Sequence, residues 1–570
     1  MNNSNWIYNK IDEYIVGELA RKLSVNTLLM KVLFARGYCT EEEIKGFLTM
    51  WKTQQNDTFL MKDMEKCVFK IKETIRRKDK ITVYGDYDCD GITATAVLVD
   101  FLRNLGADVD YYIPDRIKEG YGLSFQALDK ILNNGTNLII TVDCGITAIE
   151  ETKYINGRGA SIIVTDHHKC QKEIPDAAAV INPQQQDCYY PFKKLAGVGV
   201  VYKLIQALCE EYDLGNIYNK YIELVTLGTV ADVVSITGEN KKIVSMGIDK
   251  ISNTNNLGLK ALVEISNTNK YRITSQYFSY SLSPRINAAG RMGNANLAIE
   301  LIMADNKQQA DRLALLLENT NKKRQEVEAD NLNRVLNIIK ENQEIANKKI
   351  IIVSSSELHI GVVGIVAAKI SEKYNKPCIL LVEENNKEGR IIAKGSARSI
   401  EGVNIYELLS KCSELLSEFG GHTQAAGITV ELDKLDQLTI KLDELIGKMD
   451  EGNIFQKTIK ADIMIDIDEI TEDNIRSLEM MEPFGNDNEI PVFVSKDFIL
   501  KNIRVLGTDG KHLKFTFFKN GRVIDAVAFN MGHRKNEAIL GNSYNIIYNL
   551  ENNEWRNVVT PQMKLIDFTV

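Results

Sequence analysis

The run Gly85-Asp86-Tyr87-Asp88-Cys89-Asp90-Gly91 sets three carboxylates within five residues. Charges of one sign this close repel, and burying them unpaired would raise their pKa values instead of leaving them ionised. A divalent cation resolves that conflict. Asp143, the triplet Asp166-His167-His168 and Asp232 add oxygen and imidazole donors enough for two metals. Carboxylate mixed with imidazole suits a borderline ion such as Mn²⁺, with Mg²⁺ also compatible, and the lack of any Cys-x-x-Cys pair argues against thiolate-bound zinc. Taken alone, residues 86–90 read as well as a solvated turn in which Asp90 caps a helix. An EF-hand does not fit, because Val97 stands at the twelfth position, where the calcium loop needs Glu. Adjacent His167 and His168 point to opposite sides of an extended chain, so one can ligate metal while the other faces substrate or packs.

The elements that must carry these residues are legible nearby. Short β-rich runs at Ile81–Tyr84, Leu138–Val142 and Ser161–Thr165 alternate with helical periodicity, as at 93–105, which predicts βαβ units and a parallel sheet. Each run ends in an aspartate: the 86–90 loop, Asp143, Asp166. The carboxyl ends of parallel strands form the ligand crevice of such a sheet, so these carboxylates should converge there.

The fold class is therefore α/β with several domains. Residues 1–75 read as an N-terminal helical region and 76–304 as a parallel-sheet catalytic domain. Leucines at helical spacing predict a long connecting helix over 305–345. A second α/β domain follows over 346–450, and 455–570 alternates like a small β-barrel of the OB type.

The length of 570 residues agrees with three or four domains, and 44% apolar with 26% charged residues describes a globular chain. No apolar stretch approaches the roughly 20 residues of a membrane span, and the N-terminus lacks the pattern of a signal peptide. Nine scattered cysteines suit a reducing cytoplasm, the expected location. Cys89 and Cys144 lie beside acidic residues but read as small packing residues, and nothing suggests a covalent nucleophile.

Other features suit a polyanion. Arg116, Arg285 and Arg291 sit in Gly- or Pro-bearing segments where arginine can fork onto phosphate, although an ordinary ion pair explains any one of them equally. The net charge of −8 argues against coating nucleic acid by bulk charge. Residues 501–570 nevertheless carry ten Lys and Arg against six Asp and Glu, interleaved with Phe515, Phe517, Phe518, Tyr544, Tyr548 and Trp555. Such a basic, aromatic barrel can stack bases of a single strand through its outward rings, the rest being core.

The blocks 85–91, Val142-Asp143-Cys144-Gly145, Thr165-Asp166-His167-His168 and 228–232 resemble the four motifs of the DHH phosphoesterase superfamily. Within it, Ile113-Pro114-Asp115-Arg116 with Glu119-Gly120-Tyr121-Gly122, Leu195-Ala196-Gly197-Val198-Gly199, the segment 283–292 and Glu482-Pro483-Phe484-Gly485-Asn486 resemble the RecJ exonucleases over nearly the whole chain. The resemblance implies a two-metal phosphodiesterase that degrades single-stranded DNA from its 5′ end to mononucleotides in recombination and repair, using two Mn²⁺ or Mg²⁺ ions. It implies that Asp88 and Asp90 each hold one metal, that Asp143 bridges both, and that His167 and Asp232 complete the second site. His168 would face the scissile phosphate, while Asp86 and Asp166 would orient the ligands. Tyr121, Arg116, Arg285 and Arg291 would contact the strand. Arg398, Ser399, Gly420, Gly421 and His422 resemble the DHH-associated domain, whose glycines let backbone N–H groups approach a nucleotide. One departure is Tyr84, where some superfamily members carry a histidine that ligates the first metal. The implied partners are single-stranded DNA, a helicase and a single-strand-binding protein, with a monomer expected and no membrane. The competing readings are a DHH phosphodiesterase for short oligonucleotides or cyclic dinucleotides, and an inactive nucleic-acid-binding relative. The extra N- and C-terminal regions weigh against the first, and the intact acidic blocks against the second.

Overall fold

The computed structural model describes residues 5–49, 56–266, 273–385, 389–449, 454–507, 510–555 and 558–570. They form two compact units, 55–455 and a second made of 1–54 with 456–570.

In the larger unit, a five-stranded parallel sheet has the order Val109–Tyr112, Ile81–Tyr84, Leu138–Val142, Ser161–Thr165, Ala179–Ile181. The three strands read from sequence form its centre, and their residues are buried on both faces except Ser161, which is why they read as continuous apolar runs. The chain order reverses between Ile81–Tyr84 and Leu138–Val142, so a switch point opens at their carboxyl ends. Helix Cys89–Asn104 is buried along most of its length and packs against Gly197–Glu211 and Ile222–Ala231. That burial explains why it carries so few charges.

The long helix spans Lys307–Glu341, with Asn306 capping its start through the Gln309 N–H. It leads to a mixed sheet ordered Glu418–His422, Ala425–Glu431, Ile391–Arg398, Cys378–Asn385, Ile351–Ser354, against which helix Val363–Tyr374 packs. Only the pairing of Ile351–Ser354 with Cys378–Asn385 is parallel.

In the smaller unit, Phe493–Leu506, His512–Lys519, Arg522–Ala528, Val558–Thr569 and Ser543–Trp555 pair in a ring that closes on Phe493–Leu506. This is a closed five-stranded OB-type barrel. Helices Glu13–Leu23, Thr27–Ala35 and Glu41–Thr49 bury Val16, Leu28, Leu33 and Phe47 in one apolar core with Ile463, Phe493 and Phe515 of the barrel unit. Arg36 forks onto Asp462 at 2.7 and 3.1 Å, and Lys31 reaches Glu469 at 2.8 Å. The segment read as one N-terminal helical region is thus divided, since helix Met64–Arg77 buries its apolar face in the core of the parallel-sheet domain. Nothing local in the sequence reports pairing across more than 400 residues.

Candidate metal centre

Asp86 and Asp88 follow the first strand of the sheet directly. Asp88 is the N-cap of helix Cys89–Asn104, accepting the Gly91 N–H at 3.0 Å. Asn287, in the 283–292 segment, accepts the Cys89 N–H at 2.8 Å and pins the loop from the other side. Asp90 lies in the first turn of the same helix, and its two oxygens accept the N–H groups of Gly197 and Val198 at 2.6 and 2.9 Å. The glycine pair at 197–199 opens a helix whose free amides hold this carboxylate.

Asp143 ends its strand with φ of 61°. Gly197 lies against it so closely that a Cβ there would sit 2.5 Å from Asp143 Oδ1. Asp232 follows helix Ile222–Ala231 as its C-cap. His167 Nε2 is 3.1 Å from Asp143 Oδ1 and 3.5 Å from Asp232 Oδ2. The His167 ring also bonds the backbone at Leu195, which directs Nε2 into the crevice.

Donor atoms of Asp86, Asp88 and Asp143 lie within 4.8 Å of one another, as do those of Asp90, His167 and Asp232. Asp86 Oδ1, Asp143 Oδ1, Asp232 Oδ2 and His167 Nε2 are buried without a hydrogen-bond partner. Burial pushes the carboxyls of Asp86, Asp143 and Asp232 well up, and that of Asp90 to about 7; the charges of their neighbours, Asp88 prominent among them, add to the shift. Burial and the neighbouring His168 hold His167 down to about 4, hence neutral. Neutral imidazole and mutually repelling carboxylates with orphaned lone pairs are the donor set a pair of divalent cations satisfies.

Asp166 differs. Burial raises its pKa, but hydrogen bonds from His168 and the backbone outweigh that and leave it low. Its oxygens accept Ile146 N–H, His167 N–H, His168 N–H and the His168 ring. It therefore orients the histidines. The side chain of His168 is 44% exposed, with Nδ1 on Asp166 and Nε2 left for a ligand. Tyr121, which is exposed, meets the His168 ring edge-on at 5.9 Å.

Beside the carboxylates lies a cluster of arginines. Burial lowers Arg291 to about 9, and the charges of Arg116, Arg324 and Arg398 add to the shift. Arg116 lies over the Tyr87 ring at 5.0 Å, and Arg398 bonds Ser396 Oγ at 2.6 Å. Arg324 was not singled out from the sequence, because it stands in the polar run Asn321-Lys322-Lys323-Arg324, which reads as an ordinary solvated helix face. Burial and the charges of Arg398 and His168 lower His422, so the end of the mixed sheet that carries it faces the crevice. Gly420 and Gly421 lie in the edge strand Glu418–His422; a Cβ on Gly421 would meet Ala425 O at 2.3 Å. Two residues stand otherwise engaged. Arg285 pairs with Glu318 at 2.7 Å and donates to Ser281 O at 2.6 Å, and Ser399 Oγ donates to Val403 O at 2.7 Å.

In the barrel, Phe515, Phe517, Tyr544 and Tyr548 are core. Phe518 is partly exposed beneath Lys501 Nζ, 4.9 Å from its ring centroid. Phe529 is exposed between His512 and Lys564. The Trp555 side chain lies outside the described residues.

Three family models match the chain: the DHH family N-terminal domain over 80–229, the DHHA1 domain over 324–448 and the RecJ OB domain over 461–567. The chain is 36% identical over 565 residues to the single-stranded-DNA-specific exonuclease RecJ of Bacillus subtilis (strain 168), covering 99% of this chain and 71% of that one. It is 32% identical to the Escherichia coli (strain K12) protein of that name, covering 88% and 89%. The crystal structure of RecJ from Thermus thermophilus in complex with Mn²⁺ superimposes with a TM-score of 0.85 at 27% identity, covering 99% of this chain and 79% of that one.

Proposed function

The chain belongs to the RecJ family of single-stranded-DNA-specific exonucleases, and from that premise we propose that it hydrolyses single-stranded DNA from the 5′ end to mononucleotides in recombination and repair. The observation that carries this reading is the set of orphaned donors on Asp86, Asp143, His167 and Asp232 at the strand ends, with an arginine cluster beside them.

Mn²⁺ or Mg²⁺ is the cofactor. Asp88 and Asp90 would each hold one ion, Asp143 would bridge, His167 and Asp232 would complete one site, and Asp86 would orient or ligate. Two bound ions acidify water and stabilise charge on phosphate oxygens in an in-line displacement. His168 presents Nε2 to a phosphate oxygen, kept in that orientation by Asp166. Arg116, Arg291 and Arg398 hold the terminal phosphate, because half-buried guanidinium groups that crowd one another favour an anion; Arg324, itself paired with Glu328, adds its charge from behind. His422 and the Gly420-Gly421 backbone line the same crevice. The barrel takes the strand through Phe518, Phe529 and nearby lysines. A helicase and a single-strand-binding protein would supply the strand to a cytoplasmic monomer. Among the described residues no helix is long and apolar enough to cross a membrane.

The test is release of mononucleotides from long labelled single strands with Mn²⁺, beside a dinucleotide and a cyclic dinucleotide. Rapid release from the long strand is expected, lost with chelator and lowered about 10³-fold or more by Asp143→Ala, the several kcal/mol a bound metal supplies. Cleavage of the dinucleotide alone, or full activity in Asp143→Ala, would reject the reading.

A further inference from the structure

Tyr84 ends the strand that leads into the acidic loop, yet its hydroxyl serves another element. The side chain is fully buried; its OH donates to Gly122 O at 3.0 Å and is bonded by the backbone at Ser124. Its ring stacks on Tyr112 at 5.4 Å and 27°. Tyr112 OH donates to Glu119 Oε2 at 2.9 Å, which Ser124 Oγ also approaches at 3.2 Å. Glu119 Oε1 accepts the Asp115 N–H at 3.0 Å, and the Glu119 N–H returns to Asp115 O at 2.8 Å.

These bonds clip both ends of the segment 115–124, which carries Arg116 and Tyr121 and has no strand or helix of its own before Phe125. Gly120 and Gly122, at φ of 82° and 85°, give the segment a path that other residues rarely take. A cavity of about 270 Å³ lies beside it, lined by Ile113, Pro114, Asp115 and Glu119 and by Gly293 and Asn294. With a solvent-open cleft on one side, packing alone does not fix the loop, and the hydrogen bonds must.

We infer that Tyr84, Tyr112 and Glu119 are positioning residues that hold the 115–124 loop in its strand-binding geometry, and that position 84 serves this loop and not the metal centre. The inference rests on the reading of Arg116 and Tyr121 as strand contacts. Tyr84→Phe keeps the ring and its stack while removing the hydroxyl. It should raise KM for single-stranded DNA about three- to tenfold with kcat within about twofold, the signature of lost binding and not of lost chemistry. Mn²⁺ affinity by calorimetry should stay at the wild-type value, and amide hydrogen exchange over 116–124 should quicken. Glu119→Gln should repeat the pattern. Wild-type KM in both variants overturns the inference, as does a fall in Mn²⁺ affinity in Tyr84→Phe. An Arg116→Ala control with wild-type KM would instead sink the strand-binding reading, and the inference with it.

Discussion

Asp166 Oδ1 lies 2.7 Å from His168 Nδ1 and also accepts the backbone N–H groups of His167 and His168, at 2.7 and 3.1 Å. One buried carboxylate thus sets both histidines, one turned inward to the carboxylates and one outward to the crevice.

Asp166→Asn turns one acceptor into a donor facing donors. Activity should fall about 10- to 100-fold, as when partners of metal-site histidines are removed. Single-turnover cleavage measures this, and wild-type rates would show that the contact does not position His168.

Asp86, Asp90, Asp143 and Asp232 are raised in the folded state, so the metal-free fold binds more protons than the unfolded chain above the ordinary carboxylate pKa. Their contribution is fully present at low pH and is lost as pH rises from about 4 through the folded values, about 7 for Asp90. His168, also raised, loses its contribution in the same direction above the ordinary His value. Calorimetric scans should find that Mn²⁺ raises Tm far more at pH 8 than at pH 5; an equal effect at both would contradict the buried acidic cluster.

Gly197→Ala would place a methyl 2.5 Å from Asp143 Oδ1. The Asp143 carboxylate, a proposed metal ligand, must move, so Mn²⁺ affinity should drop about tenfold or more, comparable to loss of a supporting contact. Circular dichroism should remain native; unchanged Mn²⁺ binding would show that the helix yields instead.

Arg291 and Arg285 should separate cleanly. Arg291→Ala should raise KM about 10- to 100-fold for a 5′-phosphorylated strand, the worth of a charged hydrogen bond, and less for a 5′-hydroxyl strand. Arg285→Ala breaks its largely buried pair with Glu318. It should cost about 3–5 kcal/mol in urea unfolding while leaving KM alone. The reverse pattern would exchange their roles.

Phe529→Ala removes an exposed ring flanked by His512 and Lys564. If the barrel stacks bases, strand affinity should fall by about 1–3 kcal/mol in fluorescence titration. Unchanged affinity would take Phe529 out of the strand path.

The sequence by itself determined the parallel sheet, because strands buried on both faces must be continuously apolar, and it placed an aspartate or acidic loop after three of them. It also picked out the candidate metal donors, since acidic residues that recur after three strands of one parallel sheet converge in one crevice. Only the tertiary structure decided the rest. Arg285 and Arg291 lie in one segment and look alike, yet Glu318 neutralises the first while the second is crowded by Arg116, Arg324 and Arg398. Phe517 and Phe518 are neighbours in one strand, and which ring is core depends on how the barrel closes. The first three helices share a core with a barrel that begins more than 400 residues later. Tyr84 reads as a missing ligand until the fold brings Gly122 over its hydroxyl. Local patterns follow from burial and charge within a few residues; partners are set by contacts distant in sequence, which no local pattern encodes.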